Sequence, residues 1–227
     1  GMGLYGAKIV IASRNQQQNQ ETSLEFTSLN IENISLEVDM TQKKQIKPMI
    51  DEIIKTYKSV DILVNNAGTA LRSRAEDTSD KDWEYIMDLN LNSVYWLSKE
   101  VYPYMKTQGY GKIINIGSMY SIFGSGVVPS YSTSKGGIIQ LTKSLAVGWA
   151  QNGINVNAIL PGWITTDLTS EMGQNDPERY RKISERIAMG KWGIPDDLAG
   201  AAIFLASKSS DYVTGASIVI DGGYSIN

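Results

Sequence analysis

Two rhythms alternate along this chain. Short apolar runs, at 8 to 12, Ile34 to Val38, Asp61-Ile62-Leu63-Val64, Lys112 to Gly117 and Ile154 to Leu160, predict strands buried on both faces. Between them lie longer stretches of helical period. Asn15 to Asn30 is polar and glutamine-rich, with Leu24, Phe26 and Leu29 placed to give a helix one shallow apolar side. Thr41 to Tyr57 predicts a helix with Ile46, Ile50, Ile53 and Ile54 inward, and Pro48 inside it implies a kink or a later start. Ser79 to Thr107 predicts one long helix capped by Ser79 or Asp80 and bent near Pro103. A further helix runs from Tyr131 to about Ala150 and stops before Asn152-Gly153.

Strands alternating with helices argue for an α/β fold, a doubly wound parallel sheet with helices on both faces. With 227 residues, 42% of them hydrophobic, the chain can bury one substantial core, and residues 1–227 are expected to form a single domain. Composition then removes whole classes of chemistry. There is no cysteine and no histidine, so no disulfide frame, thiol nucleophile, Ser-His-Asp triad or His/Cys zinc site can be built, and no metal site is expected. A net charge of -3 gives no basic footprint for nucleic acid. No apolar run approaches the roughly 20 residues of a membrane span, and no secretory leader is visible, which sets a cytoplasmic expectation with no membrane partner.

The candidate chemistry sits at the carboxyl ends of the predicted strands, where open α/β sheets bind ligands. Tyr131 and Lys135 are four apart, on one face of a helix, so an ammonium can lower a phenol pKa from about 10. Ser118 ends the strand at 112 to 117, and the turn containing Gly124, Gly126 and Pro129 can fold it back toward Tyr131. Asn65-Asn66-Ala67-Gly68 follows one strand and Pro161-Gly162-Trp163-Ile164-Thr165-Thr166 another.

With Asn90 and Asp221-Gly222-Gly223, these motifs stand in an order and spacing that resembles the short-chain dehydrogenase/reductase family from about Tyr5 to the C-terminus. The resemblance implies hydride transfer between a nicotinamide dinucleotide and an alcohol or ketone. It implies Tyr131 as general acid or base, Lys135 on the phenolate and the nicotinamide ribose, Ser118 on the substrate oxygen, and Asn90 holding a water that leads to Lys135. It further implies that Pro161, Gly162, Ile164 and Thr166 hold the carboxamide, that Asn66, Ala67 and Gly68 line the adenosine ribose, and that Asp39 and Met40 meet the adenine. A homotetramer is the family's usual assembly.

One family element has no counterpart. The opening strand and TGxxxGxG turn are replaced by Gly1-Met2-Gly3-Leu4-Tyr5-Gly6-Ala7-Lys8, which passes almost directly into the strand at 8 to 12. A strand, turn and helix take about 25 to 30 residues. The expectation is an upstream Val/Ile/Leu/Ala strand followed by TGxxxG in the natural polypeptide, with an open position between the strands at 8 to 12 and 61 to 65. The alternative is impaired cofactor binding in a non-catalytic scaffold relative.

Ser13-Arg14-Asn15 follows that strand, where NAD-selective sites place an acid and an arginine can pair a 2'-phosphate, so NADP is expected over NAD unless Arg14 is only a solvated helix start. The segment 165–191, with a helix expected from Pro177 to Ala188, corresponds to the family's substrate lid. Trp163, Trp192 and Met172 either wall a substrate pocket or pack a loop. Arg72 either meets a substrate carboxylate or is a solvated loop charge. Lys191 to Leu198 and Asp211 to Gly215 look most like the sugar-acid branch, of gluconate 5-dehydrogenase and 2-deoxygluconate 3-dehydrogenase types, with 3-oxoacyl carrier-protein reductases as the alternative.

Overall fold

The computed structural model describes residues 1–166, 169 and 171–227. In chain order its principal elements are β1 (Ile9–Ser13), α1 (Gln16–Ser28), β2 (Asn33–Glu37), α2 (Lys43–Tyr57), β3 (Ile62–Asn65), α3 (Asp80–Met87), α4 (Ser93–Gln108) and β4 (Gly111–Ile116). They continue as α5 (Pro129–Trp149), β5 (Ile154–Pro161), α6 (Met172–Asn175), α7 (Pro177–Arg186), α8 (Asp196–Ala206) and β6 (Ser217–Ile220). All strand pairs are parallel, and they fall into two sheets, β1-β2 and β3-β4-β5-β6. β1 and β3 are not paired with each other. A cavity of about 780 Å³ lies between them, lined by Ile9, Val10, Ala12 and Ser13 on one side and Ile62, Leu63, Val64 and Asn65 on the other.

Helices on both faces account for the uninterrupted apolar strands. Alternate residues such as Leu63, Ile113 and Val156 pack with α2, α4 and Leu145 of α5, while Ile114 and Ile159 pack with Leu198, Ala201 and Leu205 of α8. The first of these clusters also takes in Val10, Ala12 and Leu36, so α2 and α4 join the two sheets across the cavity.

Three local expectations change. The helix α1 lacks a buried apolar side, with Leu24 71% exposed. It is fastened by polar contacts instead: Asn19 Nδ2 donates to the carbonyls of Ser13 and Leu36, each at 3.0 Å. The stretch from Ser79 to Thr107 is two helices, α3 and α4, separated by a π-helical turn at Asp88–Asn92. Ser79 is the cap, its Oγ accepting from the Asp82 N–H at 3.1 Å. The helix α2 begins at Lys43 and runs on through Pro48 in its second turn, where the missing N–H leaves the Lys44 carbonyl without its helical donor.

Candidate active site

Proline at the first turn starts α5, since its missing N–H is an orphan there in any case. Tyr131 and Lys135 share a face of this helix, with Lys135 Nζ 5.8 Å from the centre of the Tyr131 ring. The ammonium donates to the Ile116 carbonyl at 2.7 Å, which ties α5 to the carboxyl end of β4. Ser118 follows that strand and caps a short turn: its Oγ accepts from the Tyr120 N–H at 3.2 Å, and its N–H donates to Ser121 Oγ at 3.1 Å. Ser121 in turn donates to the Lys135 carbonyl at 2.6 Å, fixing the serine turn against α5.

Asn90 occupies the π-helical turn and is fully buried. Its Oδ1 accepts from the Thr69 N–H at 2.9 Å, and its Nδ2 donates to the Thr69 carbonyl at 2.9 Å and to Ser134 Oγ at 3.1 Å. The amide therefore clamps the chain after β3 to α5. Gly68 lies beside both groups: a Cβ there would stand 3.2 Å from Asn90 Oδ1 and 3.5 Å from Lys135 Nζ. Local π-geometry turns a residue inward that regular helix would aim elsewhere, a frequent arrangement at functional sites.

Burial governs the electrostatics. It lowers Lys135 to about 8 and pushes the Tyr131 phenol above its usual value, against a smaller opposing pull from the Ser118 hydroxyl. Desolvation is the largest influence on the phenol, and the Lys135 ammonium spends a hydrogen bond on the Ile116 carbonyl. A proton can pass between the phenol and a ligand oxygen beside Ser118, with the lysine as a cation of adjustable charge.

The remaining expected residues surround this centre. At the end of β1, Ser13 Oγ donates to Asn19 Oδ1 at 2.6 Å, Asn15 caps α1 through the Gln18 N–H at 3.1 Å, and Arg14 Nη1 donates to the Tyr85 hydroxyl at 2.9 Å. Asp39 Oδ1 accepts from the N–H and hydroxyl of Thr41 at 2.9 and 2.8 Å, while Met40 is buried in the core. Ser13, Met40, Asn66 and Ala67 all line the cavity between β1 and β3. Pro161 ends β5, and Gly162 is packed so closely that a Cβ would fall 2.5 Å from Asp221 Cα. The Ile164 carbonyl accepts from Thr169 Oγ1 at 2.6 Å, and the Thr166 N–H donates to Thr169 Oγ1 at 3.0 Å.

Trp163 belongs to an aromatic wall, 5.3 Å from Trp192 and 6.2 Å from Tyr120, whose ring is edge-on to Tyr131 at 6.0 Å. Arg72 is not free: its Nη1 lies 3.4 Å from Asp176 Oδ2, at the cap of α7. In the segment 165–191, residues 167, 168 and 170 lie outside the described residues. The reading from sequence missed Tyr120, Tyr224 and Arg179, which join this wall, and the linking role of Thr69 and Ser134. Tyr120 stands two residues beyond Ser118 and was within reach of the motif; the contacts of Tyr224 and Arg179 come only from folding.

Known proteins of similar sequence and shape share this framework. A family model described as enoyl-(acyl carrier protein) reductase matches residues 2–225. The chain is 41% identical to 2-dehydro-3-deoxy-D-gluconate 5-dehydrogenase of Escherichia coli over 224 residues, 98% of this chain and 88% of that protein. It is 37% identical to a 3-oxoacyl-(acyl-carrier-protein) reductase of Thermotoga maritima over 187 residues, 82% of this chain and 74% of that one. The crystal structure of a gluconate 5-dehydrogenase from Burkholderia cenocepacia, in complex with NADP and tartrate, superposes with a TM-score of 0.94 at 34% identity, covering 100% of this chain and 88% of that one. With these matches and the Tyr131, Lys135, Ser118 and Asn90 constellation, the chain belongs to the short-chain dehydrogenase/reductase family, oxidoreductases that act on CH–OH groups with a nicotinamide cofactor.

Proposed function

We propose that this protein interconverts a sugar acid's secondary alcohol and its ketone with NADP(H), the substrate being of the gluconate or ketogluconate class. The observation that carries the reading is the convergence of Tyr131, Lys135, Asn90 and the Ser118 turn at the carboxyl end of β4. Relatives named for gluconate and deoxygluconate dehydrogenation support the substrate class, and a neighbour crystallised with NADP supports the cofactor.

The residues present fit the dinucleotide at two places. Around Lys135 and Asn90, Gly68 brings bare backbone beside the ammonium, where a ribose would need an unobstructed approach. Beyond β1, the residues Ser13, Arg14 and Asn15 offer a hydroxyl, a guanidinium and an amide with no carboxylate, a donor set suited to a 2'-phosphate. Asp39 and Met40 would flank the adenine, Asn66 and Ala67 its ribose, and Pro161, Gly162, Ile164 and Thr166 the carboxamide. When bound, the nicotinamide supplies or accepts the hydride.

Tyr131 gives its proton to the carbonyl oxygen during reduction and takes it back during oxidation. Ser118 holds that oxygen toward the phenol, and Lys135 stabilises the phenolate left behind. Asn90 keeps the Thr69 backbone and Ser134 in place and orients a water through which the proton is replaced. Arg72, exchanging Asp176 for a substrate carboxylate, would orient the sugar acid under the aromatic wall of Trp163 and Tyr120.

The test is turnover of purified protein with NADPH or NADH against 5-ketogluconate, 2-dehydro-3-deoxygluconate and an acetoacetyl thioester. Turnover of a sugar acid with preference for NADPH is expected. Preference for the thioester would move the protein to the 3-oxoacyl reductases, and cofactor binding without turnover of any alcohol or ketone would overturn the catalytic reading.

A further inference from the structure

The helix α7 divides its cations between two faces. Arg181 pairs with Glu185 and Lys182 with Glu178, each at 2.6 Å, in the i,i+4 pattern of a solvated surface. Arg179, Ile183 and Arg186 stand on another face, at the spacing of one helical stripe. Ile183 is buried in the cluster that holds Trp163 and Trp192. The Arg186 guanidinium lies 4.4 Å from the Tyr224 ring and its Nε donates to the Asn227 carbonyl at 3.1 Å, so that side chain is already committed. Arg179 is half-buried, with its guanidinium 5.7 Å from the Trp163 ring.

That place brings Arg179 into the candidate site. Trp163 is 6.2 Å from Tyr120, which is edge-on to Tyr131 at 6.0 Å, so a row of rings leads from the Tyr131 phenol to the guanidinium. A cation in the first turn of a helix opposes the macrodipole, so helix stability does not account for an arginine two residues after Pro177. Stacking on an indole leaves the edge of the planar fork, with its N–H groups, available to a second partner. In the same turn Asp176 accepts the Arg179 N–H on Oδ1 at 3.2 Å and Arg72 Nη1 on Oδ2 at 3.4 Å. Both are longer than the roughly 2.7 to 2.9 Å of a tight charge-assisted contact, so the carboxylate now at this place is loosely held.

We propose that Arg179 determines specificity by reading the substrate's carboxylate, its forked N–H groups taking the two oxygens while Trp163 carries the sugar chain back toward Tyr131. Resting on the sugar-acid reading above, this assignment divides the carboxylate between Arg72 from the loop after β3 and Arg179 from α7. A carboxylate is planar and presents two acceptors, which an arginine fork matches and an ammonium does not. An uncharged 3-oxoacyl chain would leave the half-buried guanidinium without an anion, so the same residue separates the two classes of substrate.

The probes are 5-ketogluconate and its neutral primary amide, 5-ketogluconamide, which keeps the chain and the ketone and removes the charge. With NADPH, the wild type is expected to favour the acid in kcat/KM by about 10- to 100-fold. Arg179→Met keeps aliphatic packing on Trp163 and should bring that preference close to unity, through KM more than kcat. Arg179→Lys should restore only part of it. Arg181→Ala, which removes the same charge from the outward face, should keep the full preference. Equal losses for acid and amide in Arg179→Met would overturn the proposal and leave Arg179 a packing residue. So would a matching loss of preference in Arg181→Ala, which would assign the effect to the general field of the helix. Failure of the sugar-acid reading shows separately, as a wild type that turns over neither compound, and overturns this assignment with it.

Discussion

Tyr131 and Lys135 differ in the direction burial moves them, and this makes the pair testable by pH. Lys135 is lowered to about 8 while the phenol is raised, so the first proton leaves the pair from the lysine as pH climbs. Reduction needs the phenol protonated and the ammonium charged. Its rate should therefore be level below pH 8 and fall above it, a profile read from kcat at saturating cofactor; a level profile through pH 10 would detach Lys135 from the reaction. Tyr131→Phe keeps the ring and removes the transferable proton, so kcat should drop by about 10² to 10⁴ with cofactor affinity retained. Arg14 donates to Tyr85 from an exposed position, and its alanine variant should weaken NADP by about tenfold or more while leaving NAD nearly unchanged. Equal losses for the two nucleotides, measured by titration, would leave Arg14 a mere surface residue. The Tyr131-to-Lys135 spacing was legible because a helix face is set by sequence distance alone. The ion pair of Arg72 with Asp176 was not, since its partners are 104 residues apart.

Among the elements, the strands were the most legible, because a run buried on both faces has no polar interruptions to obscure it. The π-helical turn at Asp88–Asn92 was hidden: it is a single i→i+5 turn set between two α-helical stretches, too short to show as a period of its own in the sequence. Its contribution can be measured. Asn90→Ala strips partners from the Thr69 N–H and carbonyl and from Ser134, and should cost about 2 to 3 kcal/mol in denaturant unfolding, with turnover falling further than stability alone explains. The helix α1 was misjudged for a different reason. Its attachment relies on Asn19 and on Ser23, whose hydroxyl donates to Asn33 at 2.6 Å, and hydrogen-bond partners leave no periodic trace. Within the larger sheet Lys112, with no exposed surface, donates to Asp211 and Asn155 at 2.8 Å each and so links β4 to the turn before β6. Asp211→Ala should destabilise by about 1 to 3 kcal/mol, since the buried ammonium keeps only its neutral partners, and thermal unfolding at neutral pH is the measurement.

For the whole molecule, strand-helix alternation was enough to foresee an α/β architecture, and the missing TGxxxGxG turn was enough to foresee an open position between the strands at 8 to 12 and 61 to 65. What could not be foreseen is how the parts stay joined. The cluster holding Val10, Ala12 and Leu36 to Leu63 and Ile113 runs largely through α2 and α4, and among the described residues no ladder of backbone hydrogen bonds crosses between the sheets. Cooperativity in a domain depends on such couplings, and side-chain packing alone gives this one a weak point. The chain from Ile9 to Glu37 then constitutes a subunit of folding that can open while β4 and β5 remain intact. In a denaturant series, limited proteolysis should cut within residues 9–37 before hydrogen exchange at the amides of β4 and β5 accelerates, and the two transitions should separate rather than coincide.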